Sequence, residues 1–318
     1  MSATIESKQI FQAKPFLKWA GGKSQLLPQF RLHYPPQLSS GGMRRYIEPF
    51  LGGGAVFIDI AQRYSIAEAH LFDINEELIL TYTVVQRDPQ RLIEVLTELR
   101  RHYIELDAVG RTEYFYAVRA HYNAERPAID FQVFSDAWIE RAADMIFLNK
   151  TCFNGLYRVN ASGGFNVPFG RFVNPEVFEE QNILRVSDLL QRASLHVGGF
   201  ESCEPFVSDD SFVYFDPPYR PISKTASFTS YARDKFDDHD QRTLARFYAH
   251  LATTTQAKLM LSNSDPRNLA PDDMFFDDLY AQFRIHRVSA SRMINSVAEG
   301  RGKITEILVT NYQNPDHD

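Results

Sequence analysis

Cysteine is nearly absent from this chain: Cys152 and Cys203 stand far apart among 318 residues and form neither a CxxC pair nor a cluster with histidine. A disulfide framework and a structural zinc site are thereby excluded, and a reducing cytoplasm is the expected compartment. No metal is expected elsewhere either, since no convincing ligand cluster occurs. Long apolar runs are also missing. None approaches the ~20 residues that cross a bilayer, so no membrane is expected as a partner. The polar segment from Met1 to Lys14, with Glu6 early in it, resembles neither a signal nor a transit peptide. Internal repeats and low-complexity stretches are not apparent.

Two phosphate-binding fingerprints fail. Gly22-Lys23-Ser24 ends like a P-loop, but Leu17 stands where the first glycine is required and no apolar strand leads into it. Gly52-Gly53-Gly54 opens like a dinucleotide turn, but Phe57 takes the place of the third glycine, and a start at Gly53 fails at Ala55. ATP hydrolysis and nicotinamide or flavin dinucleotide binding are set aside.

What is present is an ordinary globular composition, 44% hydrophobic and 23% charged, with room for one large domain or two modest ones. The net charge of −6 speaks mildly against nucleic acid, but distribution matters more than the total. Met145 to Pro175 carries Lys150, Arg158 and Arg171 and no acid; Arg284 to Lys303 carries five basic residues against Glu299 alone. Acids gather at Asp237–Asp240, Asp272-Asp273 and Asp277-Asp278, leaving a polarised surface open.

The first third alternates strand and helix signals: a strand at Tyr46–Phe50, a glycine turn, an amphipathic helix at Ala55–Arg63, and a strand at Ala69–Asp73 ending in an acid. That is the opening of an open, largely parallel α/β sheet, whose ligands sit at the carboxyl ends of strands. From Glu76 to about Lys150 helical periodicity takes over, with breaks near Asp88-Pro89, Asp107–Gly110 and Glu125–Pro127, and its clearest helix is Asp136–Asn149. Leu156–Asn160 and Phe165–Phe169 flank Ala161–Gly164 as a β-hairpin. Alternation resumes near Val186, with strands at Phe212–Phe215, Lys258–Ser262, Ile285–Val288 and Glu306–Thr310. The simplest account is an α/β domain, residues 1–75 and 185–318, interrupted by a mostly helical insertion, residues 76–184.

Asp216-Pro217-Pro218-Tyr219 ends the strand-like Ser211–Phe215 run. It combines a carboxylate, a turn stiffened by two prolines so that its carbonyls are held in one direction, and a flat ring. Those groups suit a planar base with an exocyclic amino group. A plain strand-ending turn is the competing reading of the tetrapeptide alone. At the other end of the domain, Asp73 lies 21 positions beyond Gly52, near the spacing at which an acid on the next strand reaches ribose hydroxyls. With glycines but no full phosphate cradle, a nucleoside cofactor without pyrophosphate fits, and S-adenosylmethionine meets that description. Trp19, with Lys18, Lys23 and the Gly21-Gly22 pair, suits a cofactor carboxylate and an aromatic wall; core packing competes for Trp19.

Taken together these blocks resemble N6-adenine DNA methyltransferases of the Dam and DpnII type (D12 class, alpha group). The matching residues are Phe16–Lys23, Glu48–Gly54, Phe153–Asn160, Phe165–Arg171, Asp216–Tyr219 and Arg301–Glu306, in the family's order across about residues 14–312. The resemblance implies a Rossmann-like S-adenosylmethionine-dependent methyltransferase domain whose insertion is a DNA-recognition domain. Trp19, Lys23, Asp73 and Asp216 would contact the cofactor, with Glu48, Phe50 and the Gly52 and Gly54 turn beside it. Asp216, Pro217 and Tyr219 would be catalytic on a flipped adenine in double-stranded DNA, within Gly-Ala-Thr-Cys sites. Leu156, Arg158 and Pro168 fall on base-reading positions, Lys18 on a contact to the first guanine, and Phe153 and Asn154 on the same DNA-facing block. Phe153 replaces the tyrosine of Dam, which keeps stacking and removes a hydroxyl. Arg220 stands where relatives carry apolar residues, leaving its effect on DNA grip open. No obligate protein partner is implied. The alternatives are an adenine methyltransferase acting on RNA, an Asn-Pro-Pro-Tyr relative acting on protein glutamine, and a catalytically inactive DNA-binding relative. Asp at 216 and the hairpin favour DNA.

Overall fold

The computed structural model describes residues 11–220, 236–291 and 303–315. Of the features above, Arg292, Glu299 and Arg301-Gly302 lie outside them, as do residues 1–10 of the polar N-terminus. Seven strands form one sheet among the described residues: β1 (Arg45–Glu48), β2 (Glu68–Asp73), β3 (Ala193–Val197), β4 (Ser211–Phe215), β5 (Lys258–Ser264), β6 (Arg284–Ser291) and β7 (Lys303–Thr310). Their order is β3-β2-β1-β4-β5-β7-β6, parallel from β3 to β5, with β7 running against both β5 and β6. The chain therefore has an α/β fold with a mixed sheet. Its strand order reverses between β1 and β4, so their carboxyl ends open a crevice where such sheets bind ligands. β1 stops at Glu48, two residues earlier than the sequence suggests, because Pro49 has no N–H to continue a ladder.

Short helices α1 (Leu27–Phe30) and α2 (Gln37–Ser40) precede β1, and α3 (Ala55–Arg63) links β1 to β2. Side chains alternate across each strand, and this divides the core. Tyr46, Leu71, Tyr214 and Met260 face one cluster, while Ile47, Phe72, Val213 and Phe215 face the other. Between β2 and β3 come α4 (Glu76–Arg87), α5 (Pro89–Glu105), α6 (Ala108–Glu125), α7 (Asp136–Thr151) and α8 (Glu180–Leu190). Two of the three expected breaks are helix caps, and the third, at Glu125–Pro127, is a single 3-10 turn at the end of α6. Asp88 accepts from Arg91 N–H, with Pro89 in the first turn, and Asp107 accepts from Gly110 N–H. α4 packs on β2 and β3, and also on α7 and α8. Buried Arg141 of α7 forks onto Glu77 of α4, Nε to Oε2 at 2.6 Å and Nη2 to Oε1 at 2.5 Å, and Arg126 adds an ion pair with the same carboxylate at 3.2 Å. α9 (Asp238–Thr254) and α10 (Phe275–Leu279) complete the other face.

The expected hairpin is a looser loop than its sequence suggests. Single bridges join Val159 to Phe165 and Cys152 to Phe169, without a continuous ladder. Asn160 is the reason on one side: its Oδ1 accepts from Ser162 and Gly164 N–H, so the turn is held by a side chain. Pro168 is the reason on the other, having no N–H to offer. β3 carries no clear strand signal, since at the sheet's edge three of its residues are half-buried and Ser194 and Val197 are exposed.

Candidate active site

Asp216 begins where β4 ends, at the strand-order reversal, and only a fifth of its side chain meets solvent. Its two oxygens have different partners. Oδ1 accepts from the Ser262 hydroxyl at 2.9 Å, and Oδ2 faces the Lys23 ammonium at 2.8 Å. Lys23, itself buried, also donates to the Gly21 carbonyl at 2.5 Å and lies 4.5 Å from the centre of the Tyr219 ring. The ammonium thus occupies the gap between carboxylate and ring. Tyr219 donates its hydroxyl to Glu306 of β7. Gln241 of α9 donates to the Pro218 carbonyl at 3.0 Å, whereas the Pro217 carbonyl accepts no hydrogen bond among the described residues. Burial pushes the Asp216 carboxyl above the usual aspartate range, and Lys23 and Ser262 pull it back. Glu306 is raised by burial as well, against the pull of Lys23 and Tyr219.

The glycine turn lies beside this group, at the ends of β1 and β2. Asp73 accepts from Gly52 N–H at 3.0 Å and Asn75 N–H at 2.9 Å, so it shapes the turn and keeps lone pairs for a ligand. Burial raises its pKa and these backbone donors lower it. Glu48 accepts from Tyr46 OH at 2.8 Å; burial, then the charge of Asp216, holds its pKa well above 4.5. Trp19 covers the turn so closely that a Cβ at Gly52 would stand 3.0 Å from its Cδ1. Its other neighbour is Tyr157, stacked at 5.3 Å. Tyr82 of α4 points its hydroxyl at Gly54, and among the described residues this buried group has no partner. Phe50 stacks on Phe200 at 5.8 Å. The cradle therefore has glycines approached closely by a ring, an acid with spare lone pairs and an unpartnered hydroxyl, which fits a nucleoside-type ligand.

Residues 152–173 form a separate surface. Phe153, Asn154, Leu156 and Pro168 are exposed, and Asn154 has φ 58°. Arg158 is held at one edge by Asn166, Nε to Oδ1 at 2.7 Å and Nη2 to the main-chain carbonyl at 3.3 Å. Beneath, Asn149 of α7 clamps the backbones of Lys18 and Gly155, accepting from Lys18 N–H and donating to Lys18 and Gly155 carbonyls at 2.8, 2.8 and 3.1 Å. Asn123 of α6 pairs both backbone groups of Phe165. The structure thus brings Lys18 to the loop, and it keeps Glu48, Asp73, Asp216 and Tyr219 together at the sheet.

Ser262, Gln241, Asn149 and Tyr82 also join these two groups, and none of them belongs to a motif. The available signal was polar Ser262-Asn263-Ser264 closing an apolar strand. Arg220 is engaged by Asp238 at 2.7 Å and Asp273 at 2.8 Å, and Asp237 and Asp240 form the capping box of α9. Asp277 likewise pairs with Arg267 and Arg287. Much of the acidic surface is structural.

Comparison with known proteins gives the family. The family model described as D12 class N6 adenine-specific DNA methyltransferase matches residues 19–294. The Type II methyltransferase M.MjaIII of Methanocaldococcus jannaschii is 47% identical over 302 residues, covering 95% of this chain and 100% of that protein. The Type II methyltransferase M1.LlaDCHI of Lactococcus lactis subsp. cremoris is 35% identical, covering 96% and 98%. The DNA adenine methylase of Escherichia coli K12 is 31% identical, covering 93% and 94%. The chain belongs to the D12 class of N6-adenine-specific DNA methyltransferases.

Proposed function

We propose that the protein methylates N6 of an adenine flipped out of duplex DNA, within Gly-Ala-Thr-Cys, using S-adenosylmethionine. The observation that carries this reading is the acceptor clamp at the end of β4: Asp216 with Oδ1 on Ser262 and Oδ2 on Lys23, the Pro217 carbonyl, which accepts no hydrogen bond among the described residues, and the Tyr219 ring. Flipping is required because N6 inside the stack cannot line up with a methyl donor, and it costs a few kcal/mol. Adenine entering between Asp216 and Tyr219 displaces the Lys23 ammonium from that gap. Asp216 Oδ2 and the Pro217 carbonyl then accept the two N6 hydrogens while Tyr219 stacks on the base.

S-adenosylmethionine supplies an electrophilic methyl on a sulfonium. The clamp draws both N6 hydrogens out of the base plane, which localises the nitrogen lone pair for in-line attack. Positioning and a negative oxygen beside developing positive charge do the rest. After transfer the N6 proton passes to Asp216 or water. Trp19, Asp73 and the Gly52–Gly54 turn hold the cofactor, with Lys23, Glu48 and Phe50 beside them. Residues 76–184 act as the inserted target-recognition part, with α4 also packed on the sheet. Arg158, oriented by Asn166, reads guanine O6 and N7; Leu156 and Pro168 meet a thymine methyl; Lys18 reaches the first guanine; Phe153 and Asn154 enter at the flipped base.

Asp216→Ala tests the reading directly. Methyl transfer to duplex DNA is expected to be abolished while the circular dichroism spectrum and melting curve keep their folded form. Substantial residual turnover in a folded variant sinks the assignment. Sequencing plasmid methylated in a methylation-deficient host tests the site; adenines marked outside Gly-Ala-Thr-Cys would replace it with another.

A further inference from the structure

We propose that Ser262 is a positioning residue for methyl transfer, deciding which oxygen of Asp216 meets the substrate amino group. The inference rests on the reading of Asp216 as acceptor of the N6 hydrogens. Ser262 lies on β5, fully buried, with its hydroxyl 2.9 Å from Asp216 Oδ1 and 2.7 Å from Tyr214 OH. Tyr214 is two residues before Asp216 on β4 and also fully buried. An ionised carboxylate only accepts, so the direction of the chain is set. Ser262 donates to Asp216 and accepts from Tyr214. Oδ1 is thereby committed to Ser262, and Oδ2 is the oxygen on the Lys23 side, 2.8 Å from its ammonium.

The restraint matters because the terminal torsion of aspartate is broad, so packing alone does not fix the carboxylate plane. A carboxylate free to turn presents its acceptor lone pairs to N6 in only part of its population. Ser262 also favours the charged acceptor. Charged or titratable groups facing Asp216 are Lys23 from the N-terminal segment, Glu48 on β1, Tyr214 on β4, Tyr219 beyond it and Glu306 on β7. Of these Lys23 stabilises the carboxylate and the acids oppose it, and Ser262 adds to the first effect. Its loss raises the Asp216 pKa, so activity needing the ionised form starts at higher pH.

The experiment is steady-state methylation of duplex DNA by the full chain, with pH profiles, for Ser262→Ala, Ser262→Thr and Tyr214→Phe. For Ser262→Ala, kcat falls roughly 10- to 100-fold, as expected for losing a hydrogen bond to a charged group. KM for DNA and cofactor stays within about twofold and the acid limb of kcat moves to higher pH, as a role confined to the reacting geometry requires. Ser262→Thr recovers most of the rate. Tyr214→Phe shows a smaller change in the same direction. An unchanged kcat and acid limb in Ser262→Ala overturn the inference, as does a rise in KM alone. If Ser262→Ala does not fold, unmoved kcat and acid limb in Tyr214→Phe overturn it instead. A wild-type chain inactive on duplex DNA overturns the substrate reading itself, a separate result.

Discussion

The sheet end and the loop at 152–173 solve opposite problems with similar residues. At the sheet end polar groups are buried and tied to one another: Lys23 to Asp216, Ser262 to Asp216, Tyr219 to Glu306. At the loop the polar ties are underneath and the presenting side chains are out, with Phe153 54% and Leu156 37% exposed. A network of mutually fixed buried groups tolerates little change, because each loss leaves another group unsatisfied. A surface whose backbone is clamped by Asn149 and Asn123 can exchange its side chains at small cost. Under the proposed roles, chemistry is built into the fold and address is carried on a replaceable face.

A pair of glycines sharpens that contrast most. Both have positive φ, and both sit where a methyl group collides: Gly54 2.5 Å from Tyr82 OH, Gly155 2.2 Å from Lys18 Cδ. Gly54→Ala is expected to weaken S-adenosylmethionine binding by at least about 10-fold, from backbone strain and displaced contacts of order 1–3 kcal/mol. Gly155→Ala should leave cofactor affinity within about twofold and weaken duplex binding by at least about 10-fold on the same grounds. Calorimetry with each ligand separates them; equal losses of both ligands in both variants would erase the distinction between the regions.

Arg158→Ala comes next. Discrimination at its guanine should fall by roughly 10- to 100-fold, corresponding to one bidentate contact, while turnover on the cognate site changes less. Competition between cognate and single-substituted duplexes measures it, and unchanged discrimination would remove Arg158 from base reading.

The smallest effect is on stability. Glu48 has its pKa raised by burial, then by Asp216, so folding takes up a proton and stability declines as pH climbs from 4.5 through the folded value. Glu48→Gln removes that loss. Without ligands its melting temperature should exceed wild type by roughly 2 °C at pH 8 and converge with it near pH 4. A gap that widens on acidification would contradict the assigned cause.

The sequence showed these two regions unequally. Ala55–Arg63 coincides with α3, and the helix breaks coincide with the capped starts of α5 and α6, because caps and amphipathic stripes are local properties. Asp216–Tyr219 was legible as a cluster of tools for the same reason. The partners that aim it were not: Ser262, Gln241 and Glu306 arrive from β5, α9 and β7, and their meeting depends on a strand order that periodicity does not contain. The loop misled in the other direction, since alternation at 156–160 and 165–169 promised a ladder that Asn160 and Pro168 prevent.

Trp19 touches both regions, with the glycine turn against its Cδ1 edge and Tyr157 of the loop at 152–173 stacked on its ring. Under the proposed roles, this ring is shared by the cofactor side and the DNA side, so any coupling between the two ligands has a physical contact to pass through. Thermodynamics then demands symmetry: whatever factor the cofactor applies to DNA affinity, the duplex must return to the cofactor.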